Sequence, residues 1–321
     1  SDCIWPASNA TYVESTFTYQ SSIDSSINNL FGKYSYNVGA QQDIGQLPII
    51  ILMHGYAGDI YNFQLFDLRR WAARGFFCVV VGLRSKNGAL GTQDASGREI
   101  HDIYDAISYV RNTFPTKTSP TKASIVGYSG GGGNALACIC KLTDTFNVVT
   151  SFFGISDYGI DSTYGWYNFG SAIGSQALLN SHIGGSPLSN ADAYKARDAR
   201  ESIAKINKLG GWVHILHDLN DAFVSVQSSR QTKNYIVAEG SLNYTFTETN
   251  SGSPLRALHG HPNDQPANLY PLEWMFARRS RDSDPWAMPN SGTIIILGWI
   301  KSSKFEIWLG SLPNPKTNGE G

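Results

Sequence analysis

The stretch "ASIVGYSGGGGNAL" (residues 123–136) decides how the rest of the chain is read. An apolar run with the character of a buried strand ends at Tyr128, one serine follows, and four glycines then open a segment of helical character. Gly127-Tyr128-Ser129-Gly130-Gly131 matches the pattern G-x-S-x-G. A serine presented on a sharp turn from strand to helix sits in strained backbone, and its neighbours two positions away must be small. The helix N-terminus behind it favours negative charge developing in front of it. A phosphate loop does not fit, because no Lys-Ser/Thr pair follows the glycines, and the string is not the G-x-G-x-x-G of a first strand.

Strands and helices alternate outward from this turn. "PIIILMHG" (48–55) and "FFCVVVG" (76–82) are continuous apolar runs, as strands covered on both faces are. Between them "DIYNFQLFDLRRWAARG" (59–75) has helical period, with Asp59 as N-cap and Gly75 as stop. "SGREIHDIYDAISYVRNTF" (96–114) places Ile100, Ile103, Ile107 and Val110 on one stripe. After Ser129 come "NVVTSFFG" (147–154), a long variable stretch, "GWVHILHD" (211–218), a further helix and "NYTFTET" (243–249). Residues 11–38 alternate apolar and polar side chains, which predicts antiparallel strands with one wet face. Together these predict an α/β fold, a mostly parallel mixed sheet with helices on both faces. Residues 1–282 form that unit, with a cap at about 154–200. "DPWAMPNSG" (284–292) reads as a linker, so 283–321 is a linker and β extension, a hairpin in which Phe305, Ile307 and Leu309 alternate with Glu306 and Trp308.

Composition removes several function classes. The net charge of −1 leaves no electrostatic footprint for nucleic acid or an anionic membrane. No apolar run approaches the roughly 18–20 residues of a membrane span. Charged residues are 16% of the chain, and Ser, Thr, Asn, Gly and Tyr fill the gap. With a start at "SDCIWP" and no leader, this is the expectation for a mature secreted or extracytoplasmic protein. Of the four cysteines, Cys78, Cys138 and Cys140 fall in core-like segments, and a bridge from Cys3 is left open. None has zinc-site spacing, and neither metal nor cofactor is expected.

A serine on such a turn points to acyl transfer, which needs oxyanion donors, a base and an orienting acid. The backbone N–H of Gly130 is one expected donor. The Tyr56 N–H, in "MHGYAGD" (53–59), is the other, with His54 supporting that loop. In a fold of this kind the chain order is serine, acid, histidine, which rules out His54 and His101 as base. "HILHDLNDAFV" (214–224) offers Asp218 and Asp221. Asp221 is chosen because Phe223-Val224 would anchor its loop, while Asp218 caps the turn. "RALHGHPNDQP" (256–266) offers His259 and His261, which spacing does not separate. His259 is the first choice, being nearer the strand, and His261 is the alternative.

These residues resemble the α/β-hydrolase superfamily, and within it the catalytic domains of prolyl-oligopeptidase type and related secreted serine esterases. "TYQSSIDSSINNLFGKYSYNV" (18–38) is similar to the opening strands of such esterases. "IGGSPLSNADAYKARDARESIAKINKLGGWVHILHDLNDAFVSVQSSRQ" (183–231) resembles a stretch of Gly-Ser-Pro, Tyr, a short helix, a strand ending His-Gly, then Asp and Val before Ser-Arg. Here Asp218 stands in place of that glycine, and the acid the resemblance implies is Asp221. About 45 residues precede the first core strand, too few for the propeller of prolyl oligopeptidases, which moves the expectation from peptidase towards esterase.

Between "VVTSFFG" and the acid, "ISDYGIDSTYGWYNFG" (155–170) crowds Tyr158, Tyr164, Trp166, Tyr167 and Phe169 where this fold carries its cap. Such rings could stack on an aromatic acyl group, a sugar or a polyester ring, or pack a small core of their own. The expected partner is a small-molecule or polymeric ester, cleaved through an acyl-enzyme on Ser129. The rival readings are a peptidase of the same fold and a binding protein on the same scaffold.

Overall fold

A computed structural model describes residues 11–250, 259 and 269–309. Its centre is one eight-stranded sheet in the order β1-β2-β4-β3-β5-β6-β7-β8. The strands are β1 (Tyr12–Tyr19), β2 (Leu30–Asn37), β3 (Leu47–Met53), β4 (Phe77–Val81), β5 (Thr118–Tyr128), β6 (Val148–Phe152), β7 (Trp212–Asp218) and β8 (Tyr244–Thr249). Pairing is antiparallel from β1 through β2 to β4 and parallel across the rest. The carboxyl ends of β3, β5, β6 and β7 therefore meet at one edge, where α/β sheets place their sites.

The period-2 alternation of side chains divides each inner strand between two cores. Ile49, Ile51 and Met53 of β3 and Phe77, Val79 and Val81 of β4 join the larger one. It also takes in buried residues of α3 (Glu99–Thr113), α4 (Gly130–Lys141) and α8 (Ala199–Leu209). Ile50, Leu52, Cys78 and Val80 face the smaller core, with Leu68 and Trp71 of α2 (Leu65–Ala72) and Phe276 and Ala277 of α10 (Leu269–Asp282). The remaining helices are α1 (Val38–Ile44), α9 (Val226–Ala238), and the short α5 (Trp166–Phe169), α6 (Ser175–Leu179) and α7 (Ala191–Lys195) of the cap. A single π-helical turn, Asn180–Gly184, follows α6. No helix among the described residues is long and apolar enough to cross a membrane.

Two local expectations change. The helix expected from Asp59 is broken in two. Asp59 caps a 3₁₀ turn, Ile60–Asn62, with Asp59 and Asn62 side chains accepting each other's end of the turn. Phe63 is then extended, and Gln64 and Asp67 form a second capping pair that starts α2 at Leu65. β2 has no wet face, because it lies between β1 and β4 and is buried along almost its whole length. Tyr34 and Tyr36 stack on Phe77 from one side, and α2 packs on the strand as well. Among the described residues of the tail, β9 (Trp299–Lys301) and β10 (Glu306–Trp308) pair antiparallel as the expected hairpin.

The tail packs on the sheet's main core. Trp299 is 0% exposed and stacks on Trp308 with ring centroids 5.0 Å apart. Trp286 donates its indole N–H to the Phe146 carbonyl at 2.9 Å. Lys141, the last residue of α4, is buried under Trp299 and donates to the carbonyls of Ala196 (3.1 Å) and Leu297. Cys78, Cys138 and Cys140 are buried free thiols, and burial pushes the Cys140 thiol up to about 12. Cys3 lies outside the described residues.

Two outcomes follow for stability. Trp299→Ala is expected to cost about 3–5 kcal/mol, the usual cost of deleting a large buried ring, read from urea melts. A loss below about 1 kcal/mol would show that the tail does not share the core. Burial, with Arg197 nearby, pushes the Lys141 ammonium down to about 7. Between about 7 and the ordinary lysine value near 10.4 the unfolded chain holds a proton there that the folded chain has lost. Stability attributable to Lys141 therefore rises with pH across that window and is flat below it. Melts of the parent and Lys141→Met between pH 6 and 10 check this, since the difference between the two curves must slope in that direction.

Candidate active site

Ser129 ends β5 and begins α4. Its φ of 56° and ψ of −122° lie far from either regular element, and two hydrogen bonds hold the turn. The Ser129 N–H donates to the Phe152 carbonyl and the Gly133 N–H to the Ser129 carbonyl, both at 3.0 Å. The glycines around it are required by space. A Cβ on Gly127 would overlap the carbonyl of Gly131, and one on Gly131 would overlap the backbone carbonyls of Met53 and His54 at the end of β3. A Cβ on Gly130 would lie 2.7 Å from the Tyr56 nitrogen, so the Gly130 and Tyr56 backbones meet beside the serine.

The structure brings three dispersed side chains into line. Ser129 Oγ is 3.0 Å from His259 Nε2, and His259 Nδ1 is 2.8 Å from Asp221 Oδ2. The His259 ring is packed between Phe153 and Phe223, with centroids 5.1 and 4.9 Å away. Asp221 Oδ1 accepts the N–H groups of Phe223 (2.8 Å) and Val224 (2.9 Å), which is how the apolar pair anchors the loop. Burial on its own would raise the Asp221 carboxyl. Hydrogen bonds from His217 and His259, and their charges, outweigh it and hold the group well below the ordinary carboxylate range. Asp218 does cap the turn: it accepts the Asn220 N–H at 2.9 Å and the Thr249 hydroxyl at 2.8 Å. His261 lies outside the described residues.

The other two histidines weighed from the sequence are elsewhere engaged. His54 is buried, its Nδ1 2.9 Å from the Gly55 carbonyl, and burial lowers its pKa to about 4. A carbonyl only accepts, so His54 Nδ1 carries the hydrogen. His101 lies in α3 against Trp299, with Asp105 at 3.4 Å.

Around Ser129 lies a cleft of about 310 Å³. Its walls include Tyr56, Phe63, Tyr128, Trp166, Ile173 and Leu178. Among the described residues lining it there is no Asp, Glu, Lys or Arg. Ile173 and Leu178 come from the cap and remain 46% and 38% exposed, so the cap side of the mouth is apolar. Of the four aromatic residues expected to bind substrate, Trp166 lines this cleft, and its indole N–H donates to the Phe223 carbonyl at 3.1 Å. The other three hold the cap together. Tyr158 is 1% exposed with its hydroxyl 2.6 Å from Ser96 Oγ, so it has no surface to offer a ligand. Tyr167 donates to Asn180 Oδ1 and meets Tyr194 edge-on, and Tyr164 lies beside Arg200. Asp157 accepts three successive backbone N–H groups and pairs with Arg200 at 3.0 Å.

Three neighbours of these side chains, Phe153, His217 and His182, were not anticipated from the sequence. Phe153 flanks His259 opposite Phe223, His217 touches Asp221 at 3.2 Å, and Nδ1 of His182 in the π-turn lies 2.6 Å from the Tyr56 hydroxyl with the two rings stacked. Only His217 carried a signal, as the histidine closing "HILH".

The sequence and fold were both found to resemble known proteins. The model of the X-Pro dipeptidyl-peptidase (S15) family matches residues 33–259. The fold is similar to that of the acylaminoacyl peptidase of Pyrococcus horikoshii (TM-score 0.66, 21% identity, 87% of this chain and 43% of that one). It is also similar to dipeptidyl peptidase 4 of Porphyromonas gingivalis (0.60, 17%, 85% and 36%). Esterase B of Lactobacillus rhamnosis shares it over most of both chains (0.60, 17%, 84% and 85%). The chain thus spans less than half the length of either peptidase. No curated protein matches the sequence. The chain belongs to the X-Pro dipeptidyl-peptidase (S15) family and has the α/β-hydrolase fold.

Proposed function

We propose that the protein hydrolyses carboxylic esters of neutral, apolar acyl groups, aromatic ones among them. The observation that carries this reading is the uncharged lining of the cleft at Ser129. An enzyme that removes dipeptides must hold a substrate's free ammonium, which calls for a carboxylate, and the described lining offers none. The half-buried ring of Tyr56, an edge of Trp166 and the exposed Ile173 and Leu178 at the mouth instead suit an uncharged, apolar acyl group.

In this mechanism His259, oriented by Asp221, takes the proton from Ser129 Oγ as that oxygen attacks the ester carbonyl. The N–H groups of Tyr56 and Gly130 hold the oxyanion; a donor of this kind contributes about 3 kcal/mol to the transition state. His259 then gives its proton to the departing alcohol, leaving an acyl-serine. Water, deprotonated by the same imidazole, releases the acid and restores the serine. Peptide hydrolysis is the second reading. It is favoured by the family match and by the peptidases that share the fold.

Ser129→Ala is expected to lower turnover of p-nitrophenyl butyrate about 10⁴-fold or more, with an unchanged melting temperature and no labelling by a fluorophosphonate. Turnover retained in that variant would end the proposal. In a parallel panel of acetyl, butyryl, feruloyl and polyester substrates against Xaa-Pro p-nitroanilides, kcat/KM is expected to be highest on an ester. Faster cleavage of the anilides would replace the esterase reading with the peptidase one.

A further inference from the structure

Asp221 carries more hydrogen bonds than the orientation of one imidazole requires. Its Oδ1 is filled by two backbone N–H groups, and its Oδ2 faces two histidines, His259 at 2.8 Å and His217 at 3.2 Å. His217 is the penultimate residue of β7 and is fully buried. Its Nε2 is also 2.9 Å from the Val224 carbonyl. A carbonyl only accepts, so Nε2 bears a hydrogen that it donates to Val224, with Asp221 Oδ2 3.2 Å from the same nitrogen. On the other side of the ring, Nδ1 lies 2.7 Å from the buried Ser229 hydroxyl of α9. The Val224 carbonyl places a hydrogen on Nε2, and the two ring contacts together fix the plane of the imidazole. Ser229, His217, Asp221, His259 and Ser129 thus form one unbroken file of polar contacts, drawn from α9, β7, its following loop and the turn after β5.

We infer that His217, set by Ser229, is a positioning residue of the reaction. By donating to Oδ2 it holds the carboxylate in line with His259 and takes up part of its negative charge. The inference rests on the reading of Ser129, His259 and Asp221 as the reacting set. Without the His217 donor, the carboxylate turns its full charge to His259, so the base holds its proton more strongly and its ring is aimed less well. The other charged groups about the pair are Asp218, next in the chain, and Glu248, opposite His217 on β8 and paired with Arg230 at 2.6 Å. None of these changes in the variants below.

The test uses the full chain and whichever ester or anilide it turns over. His217→Leu removes the donor and His217→Gln keeps an N–H at a similar reach. In His217→Leu, kcat is expected to fall about tenfold to a hundredfold with KM within about twofold of the parent. The acidic limb of its kcat/KM profile is expected to move to higher pH, and His217→Gln should recover most of kcat. Ser229→Ala, which removes only a hydroxyl, should show a smaller fall and the same direction of limb shift. It decides the matter if the leucine variant does not fold. Parental kcat and an unmoved limb in whichever variant is folded would overturn the inference. So would a loss in which KM rises with the fall in kcat and glutamine rescues nothing. Both outcomes leave the triad standing, whereas turnover surviving Ser129→Ala removes the triad itself.

Discussion

The structure depends on one close approach. The turn from β5 into α4 lies directly on the end of β3, with glycine where any side chain would strike a backbone carbonyl. That contact sets the backbone direction at Ser129. It also brings the Tyr56 amide to the start of the helix, where the proposed mechanism needs its second oxyanion donor. The sheet order then makes the rest follow. β6 and β7 lie side by side next to β5, so the loops after them hold Phe153 and Asp221 beside the serine.

How far the sequence could be read follows from the kind of physical signal each part carries. The inner strands were legible because burial on both faces leaves nothing but apolar residues, as in "IIIL" and "CVVV". Ser129 was legible because steric demand writes itself as glycine at fixed offsets. Asp221 separated from Asp218 because only one of them precedes an apolar pair that can fold back onto its own carboxylate. The interruption at Phe63 was not legible. Two capping pairs in series look like one helix unless the competition between them is weighed. Nor was the use of the cap aromatics, since a ring that binds a ligand and a ring that fills a small core have the same composition around them. His217 escaped because its partner is four residues away in the chain across a turn, a distance at which no periodicity speaks.

The two polar systems buried beside the sheet differ in what they stabilise. Lys141 ends the nucleophile helix and is met by carbonyls from the cap's last turn and from the tail. Residues 297 and 299 thereby belong to the same packing unit as the turn at Ser129, although they lie on the other side of the chain's linker-like run. The Ser229–His217–Asp221 file instead anchors the acid loop to α9 and leaves the serine turn untouched.

Tyr56 stands in both halves of the site. Its amide is beside Gly130, while its phenol is tied to His182 and its ring lies against Trp166, both in the cap. A main-chain N–H survives every substitution but proline, yet its aim depends on how the side chain it carries is held. On the mechanism proposed above, the main chain facing Gly130 and the cap turn that carries His182 are therefore joined through one side chain.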